Sequence, residues 1–345
     1  MRLAIVTDAW EPQVNGVVTT LRATIRQLQV AGVEVLRVSP ERFRSMPCPS
    51  YPEIRLALFA DAAVAAELDA FDPDAIHIAT EGPLGHAART WCLAQRRRFT
   101  TSFHTRFPEY LRARWPIPLA LSYAYLRRFH AAASRTLVST AGLRAELAAR
   151  GFQHLALWER GVDTTLFRPA PRVRARPEGR CFAFVGRVAV EKNVEAFLSL
   201  ALPGQHWVIG DGPARPELEA RFPAARFFGI LRGETLARTL ASADVFVFPS
   251  RSDTFGLVML EAMACGVPVA AYPVRGPLDV VVDGVTGALD EDLRAAVDRA
   301  LALRPQDCRA FAEARSWAAS TQQFIDALVP ACRNAARTEA VQVAG

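Results

Sequence analysis

Lysine is nearly absent from this chain, so its net charge of +6 over 345 residues rests on arginine. No uncharged apolar run approaches the roughly 18 residues that a membrane-spanning helix needs. Cysteine is sparse and scattered: Cys48, Cys92, Cys181, Cys265, Cys308 and Cys332 form no C-x-x-C pair and have no histidine cluster beside them. That argues against a disulfide framework or a zinc site and predicts buried thiols in a reducing cytoplasm. No repeat of short fixed period is visible. The opening residues run from Leu3-Ala4-Ile5-Val6 straight into Asp8, which predicts a strand rather than a secretion signal. Asp72-Pro73-Asp74 has the outline of a metal-binding D-x-D, but its proline and the apolar strand after it predict a turn. The arginine excess favours an anionic partner. The basic, aromatic strand pattern of an RNA reader is missing, so nucleic acid is not an expected partner.

What is present suits two domains: the chain is 51% hydrophobic and 22% charged, and too long for one ordinary core. Leu3–Thr7 reads as a strand, followed by a turn and then by Val17, Val18, Leu21, Ile25 and Leu28 at helical spacing. Strands then alternate with helices at Glu34–Ser39, Ala75–Ala79, Phe99–Phe103, Leu137–Thr140 and Leu155–Trp158. Arg168–Gly179, rich in arginine and proline, is the best linker candidate. The alternation restarts with strands at Cys181–Val185, Trp207–Ile209, near Phe227, at Val245–Phe248 and at Val267–Ala271. The expected fold class is α/β: two doubly wound parallel sheets, 1–168 and 169–315, with ligands in a cleft beyond the carboxyl ends of the strands.

Three stretches carry candidate chemistry. In the first, "SRSDTFGLVMLEAMACGVPV", a loop leads from a strand into a helix near Gly256. The amides of Gly256, Leu257 and Val258 lie at the helix N-terminus and make an anion site, and Gly256 lets a phosphate come close. Asp253 and Glu261, eight positions apart, flank it as acceptors for sugar and ribose hydroxyls. The plainer reading is that Ser252 and Asp253 cap the helix while Glu261 sits on the surface. In the second, "GRVAVEKN", Arg187 and Lys192 follow a strand end, as anion ligands or as two solvated cations. The third is Asn15-Gly16 at the first helix's start, a second phosphate-ready helix end.

Together these residues resemble the retaining nucleotide-sugar enzymes of glycosyltransferase family 4. "PQVNGVVTTL", "SFHTRFPEY", "RGVDTTLFRP", "GRVAVEKN", "GDGP" and "SRSDTFGLVMLEAMACGVPV" carry the resemblance in order across nearly the whole chain. The resemblance implies a GT-B fold, with a helix at 316–329 crossing back to the first domain and a tail at 330–345. It implies that Arg187 and Lys192 hold the diphosphate, that Glu261 holds the ribose and that Asp253 holds sugar hydroxyls. Asp253 departs from the family's usual Glu, which puts the donor sugar in question. The resemblance also implies that Gly16, Gly186, Gly210 and Phe255 shape the donor site and that His104 stands at the reacting end. No metal or other cofactor is expected for the chemistry. No enzymic nucleophile is evident, so attack is expected on the face the diphosphate leaves.

Tyr110–Ala133, "YLRARWPIPLALSYAYLRRFHAAA", brackets an uncharged middle with basic residues. It reads either as a core helix with a solvated basic end or as a helix in a membrane interface. In the second reading Arg112, Arg114, Arg127 and Arg128 meet anionic headgroups and Trp115 and Tyr123 lie at headgroup depth. The resemblance favours that reading and implies a cytoplasmic enzyme, peripheral on the inner face of the membrane. It would glycosylate a lipid, diacylglycerol first, from a UDP-sugar. A GDP-mannose-dependent α-mannosyltransferase is the near alternative, and a non-catalytic nucleotide-binding protein is the alternative of another class.

Overall fold

The structure, a computed structural model, describes the chain except for residues 14, 49–50, 115–116, 172–178, 252–254 and 333–345, and the side chains at 51–53, 110 and 113–114. The chain divides into two compact units: Met1–Glu159 together with the chain from Ser320 onward, and Arg160–Ala319. The change of unit precedes the Arg- and Pro-rich stretch because the residues between are already core. Val162 and Phe167 are buried in the second unit. Arg309 ties them down by donating to the carbonyls of Thr164, Phe167 and Ala264.

The first unit holds β1 (Arg2–Val6), β2 (Glu34–Val38), β3 (Ser45–Cys48), β4 (Tyr51–Ala57), β5 (Ala75–Ile78), β6 (Thr100–Phe103), β7 (Arg135–Val138) and β8 (Leu155–Leu157). Six of these form one parallel sheet in the order β2-β1-β5-β6-β7-β8. Side chains alternate across it with the period of a strand. Leu3 and Ile5 face Leu21 and Leu28 of the Gly16–Val30 helix, whereas Ala4 and Val6 face Val64, Leu68 and Leu84. Each fully buried leucine here is worth about 1.5–3 kcal/mol over an exposed one. That two-sided burial is why β1 reads as an unbroken apolar run.

The second unit holds β9 (Arg180–Val185), β10 (Gly204–Ile209), β11 (Arg226–Gly229), β12 (Val245–Phe248), β13 (Val269–Ala271) and β14 (Gly287–Leu289), parallel in the order β11-β10-β9-β12-β13-β14. Cys181, Ala183 and Val185 pack on one face with Met259 and Leu260. Phe182 and Phe184 pack on the other with Phe197 and Val297. The strand order reverses between β9 and β12, so the carboxyl ends of those two strands mark this unit's ligand position.

The Trp317–Ala327 helix carries the chain back to the first unit. There Phe324 packs 4.7 Å from Trp158, ring to ring, and the Ser320 hydroxyl donates to the Glu159 carbonyl at 2.6 Å. Four of the cysteines are buried, and burial pushes the thiols of Cys92, Cys265 and Cys308 up to about 12.

Three features depart from expectation. The antiparallel β3–β4 hairpin was not anticipated, because the prolines of "SMPCPSYPEIRLA" mask its alternation. β14 has only three residues and shows no period. Tyr110–Ala133 is not one helix: helices run over Phe107–Arg114 and Leu119–His130, separated by the prolines of "WPIP".

Candidate functional site

In the second unit, three loops meet beyond the carboxyl ends of β9, β10 and β12. The β9 loop begins with Gly186 and Arg187, and the β10 loop with Gly210. They are clasped together: the Gly186 amide donates to the Ile209 carbonyl and the Val188 amide to the Asp211 carbonyl, both at 2.9 Å. A Cβ on residue 210 would lie 1.9 Å from the Gly186 carbonyl oxygen, so only glycine allows this approach. The β9 loop is also tied to the β12 loop. The Asn193 side chain donates to the Pro249 carbonyl at 3.2 Å, and the Ser250 hydroxyl to the Glu191 carbonyl. Lys192 lies in the short 3-10 turn Val190–Lys192, directly before Asn193. It is the one lysine in the chain.

The Leu257–Ala264 helix starts from Gly256, at φ 78° in the left-handed region, with no side-chain cap among the described residues. Phe255, Gly256, Leu257 and Val258 are all partly exposed, whereas Met259 and Leu260 are fully buried. This helix end is therefore open at its first turn and anchored at its second. Glu261 is not a plain surface residue. The residue keeps some exposure as a whole, but its carboxyl is deep enough that desolvation raises its pKa to about 7. Asp253 lies outside the described residues.

The first unit holds the other helix end expected at a phosphate. Gly16 does open the Gly16–Val30 helix, but Asn15 closes it. The Asn15 Oδ1 accepts from the amides of Val17 and Val18, each at 3.0 Å. An anion at this helix end would compete with the cap for the amides of Val17 and Val18. His104 follows β6, with its ring 5.6 Å from Trp158 in an edge contact.

Sequence reasoning passed over Asp8 and Arg160. Asp8 is buried at the end of β1, where its carboxylate accepts from the amides of Leu84 and Gly85 and from the Thr80 hydroxyl. Burial nevertheless dominates and raises its pKa to about 6. Arg160, 5% exposed, has its pKa drawn down to about 9 by burial. The available signals were an acidic residue two positions after an apolar strand and an arginine two positions after a tryptophan, directly before "GVD".

The residues expected at a membrane are divided. Arg112, Arg127 and Arg128 are exposed, and Arg127 donates to the Arg150 carbonyl at 3.1 Å. The Arg114 side chain and Trp115 lie outside the described residues. Tyr123 is a correction. It is 5% exposed, donates to Glu109 at 2.7 Å and lies under the Arg150 guanidinium, 4.0 Å from the ring centre. Burial, then Glu109, push its pKa up. Leu121, at 65%, and Tyr125, at 54%, hold the exposed face of that helix instead.

Comparison with known proteins agrees with this geometry. The Glycosyltransferase Family 4 profile matches residues 14–166, and that of Glycosyl transferases group 1 matches residues 179–314. The chain is 35% identical over 318 residues to a GDP-mannose-dependent alpha-mannosyltransferase of Mycolicibacterium smegmatis, covering 84% of each chain. It is 35% identical over 309 residues to the sulfoquinovosyl transferase of Arabidopsis thaliana, covering 80% of this chain and 61% of that longer protein. Among solved structures, sucrose-phosphate synthase from Thermosynechococcus elongatus superposes with a TM-score of 0.76 at 21% identity, covering 94% of this chain and 97% of the other. Two parallel six-stranded sheets and the returning helix are the GT-B fold, and the chain belongs to glycosyltransferase family 4.

Proposed function

We propose that the protein transfers a sugar, with retention of anomeric configuration, from a nucleoside-diphosphate sugar to a membrane lipid, diacylglycerol first. One observation carries the donor half: the three clasped loops of the second unit gather Arg187, the single lysine and the open Gly256 helix end at the reversal point of the sheet. As the anomeric bond breaks, negative charge grows on the departing diphosphate. Arg187, Lys192 and the amides after Gly256 stabilise it electrostatically, without a divalent cation. Glu261, as carboxylate, accepts from the ribose hydroxyls, and Asp253 accepts from the sugar. The acceptor oxygen attacks on the face the diphosphate vacates.

The lipid half is supported by the exposed Leu121, Tyr125, Arg127 and Arg128 of one helix, an aromatic and basic strip suited to an anionic interface. No helix among the described residues is long and apolar enough to cross a membrane, so this reading places the enzyme on the membrane surface, at the cytoplasmic face. A UDP-sugar is the first donor to test. GDP-mannose is the second reading, favoured by the name of the mycobacterial relative. Incubation with a panel of UDP- and GDP-sugars and membrane lipids, with products read by mass, tests both halves. Donor binding without transfer to any acceptor overturns the enzymatic reading. Transfer to soluble sugars alone overturns the lipid, and a requirement for Mg²⁺ or Mn²⁺ overturns the cation-free step.

A further inference from the structure

Five side chains of the first unit close a ring beside the turn that carries His104. Arg106 donates to both oxygens of Glu146, at 2.6 and 3.5 Å, and Glu146 accepts from Arg150 at 3.4 Å. The Arg150 guanidinium covers the Tyr123 ring, the Tyr123 hydroxyl donates to Glu109 at 2.7 Å, and Glu109 meets Arg106 again at 3.5 Å. The ring ties one turn to three helices. Arg106 ends the turn after β6, Glu109 lies in the Phe107–Arg114 helix and Tyr123 in the Leu119–His130 helix. Glu146 lies in the Ala141–Ala149 helix, which Arg150 ends.

Stability does not account for this ring. The side chains of Arg106 and Glu146 are only 12% and 16% exposed. Taking ions out of water is costly, and apolar side chains of similar volume often serve a core as well or better. Arg106 Nε and Glu109 Oε2 are buried with no hydrogen-bond partner among the described residues, so the ring leaves some of its own groups unsatisfied. What a forked guanidinium on a carboxylate supplies is fixed geometry.

That geometry acts on a short span of chain. Phe103 is the last residue of β6 and is paired with Val138 of β7. Residues 104–106 belong to neither strand nor helix. Only His104 and Thr105 lie between the sheet and the ring, so the backbone under the His104 imidazole is held at both ends. The imidazole itself meets the Trp158 ring in an edge contact at 5.6 Å.

We propose that Arg106, Glu109, Tyr123 and Glu146 are positioning residues that hold His104 in place for sugar transfer, with Arg106 the foremost of them. The proposal rests on the transferase reading and on His104 standing at the reacting end. The four act through the turn and not on the substrates. A displacement of about 1 Å at a reacting group can lower a rate ~100-fold, so loosening the ring lowers kcat and spares binding.

The test uses the full chain with the donor and acceptor that give the fastest transfer. Arg106→Lys keeps the charge and loses the fork. Tyr123→Phe loses one hydroxyl and keeps the packing. Arg106→Lys is expected to lower kcat at least tenfold and Tyr123→Phe about threefold, with the calorimetric Kd for the nucleotide-sugar within about twofold of wild type. The deciding readout is a double-mutant cycle with His104→Ala. Arg106→Lys should cost nothing further in that background. An equal fold-loss in both backgrounds makes the ring a general support of the fold and overturns the proposal, as does full activity of His104→Ala or an equal shift in donor Kd. If Arg106→Lys does not fold, Tyr123→Phe takes its place in the cycle. If wild-type protein binds donor but transfers to nothing, the transferase reading fails. The ring is then judged by the imidazole NMR signals of His104, assigned by their loss in His104→Ala, and the same readout decides if His104→Ala is too slow to measure. Those signals should move in Tyr123→Phe while those of His206, in the second unit, stay. His104 signals that stay, or that move no more than those of His206, overturn the proposal.

Discussion

The Gly16–Val30 helix of the first unit begins on Asn15, whose side chain accepts from the amides of Val17 and Val18. The Leu257–Ala264 helix of the second unit begins on Gly256, with no side-chain cap among the described residues. Both ends follow loops beyond parallel strands, and both carry the positive end of a helix dipole. In the first, the amides of Val17 and Val18 are satisfied by the chain itself. In the second, no side chain among the described residues accepts from the first-turn amides, and the residue before them has no Cβ. Two ends that look alike as Asn-Gly and Phe-Gly in sequence thus separate into a structural cap and a candidate phosphate site.

The sharpest way to break this contrast is to remove the charges assigned to the second unit's site. Lys192→Ala and Glu261→Ala should each lower kcat/KM by about 100- to 1,000-fold, or about 3–4 kcal/mol of transition-state stabilisation, with the fold intact by circular dichroism. Lys192→Arg should restore little. A planar guanidinium presents its charge and donors in a different geometry from a compact ammonium. Near-normal turnover by either alanine variant would remove the donor assignment.

Next in size is Gly256→Ala. At φ 78° an added Cβ costs about 1–2 kcal/mol in backbone strain. It would also lie 2.8 Å from the Met259 methyl and 3.0 Å from the Phe248 ring. The variant should unfold at lower denaturant and bind nucleoside diphosphate at least tenfold more weakly. Lost stability with unchanged affinity would make this helix end structural, like its counterpart.

The two sheets were legible in the sequence because their strands are buried on both faces. Runs such as Leu3–Val6 and Val245–Phe248 are apolar without interruption, and Thr7-Asp8 ends the first and Pro249 the second. The β3–β4 hairpin was not legible, since its pairing depends on a partner that prolines disguise. At the site, Lys192, Gly256 and Glu261 stood out by position in a strand–loop–helix pattern. The Asn15 cap also used a legible residue type, but which ligand takes the amides is settled by a side-chain rotamer. Tyr123 failed for a related reason. Composition places an aromatic between arginines, whereas helical phase decides which face it occupies, and Glu109, fourteen residues away, captures its hydroxyl.

Acidity supplies a smaller test of the same contrast. Burial raises Glu261 from an ordinary value of 4.5 to about 7 in the folded protein. The folded state therefore holds a proton that the unfolded state releases. The resulting stabilisation is complete below pH 4.5 and is lost as pH rises to about 7. Donor affinity should run the other way, because ribose hydroxyls need the carboxylate as acceptor. Between pH 6 and 8 the donor Kd should tighten about tenfold, near 1.4 kcal/mol. Asp8 titrates about one unit lower, near 6. Glu261→Gln separates the two: it should flatten the donor profile, and a profile it leaves unchanged would assign the pH dependence elsewhere.

The smallest effect is expected at the other helix end. Asn15→Ala leaves the amides of Val17 and Val18 without their cap and should cost about 1 kcal/mol of stability. It also releases Gln13, which Asn15 contacts at 3.1 Å, so some loosening of the loop after β1 should accompany it. If the cap is structural, urea unfolding shifts while the Kd for nucleoside diphosphate stays within twofold. Asn15→Asp is the companion variant. A carboxylate caps at least as well and places a negative charge at this helix end, so it should restore stability. If this end does hold the diphosphate, the same charge would repel it and donor affinity would fall. A stable Asn15→Asp protein that has lost its donor would show that both helix ends serve the nucleotide, and the distinction between them would fail.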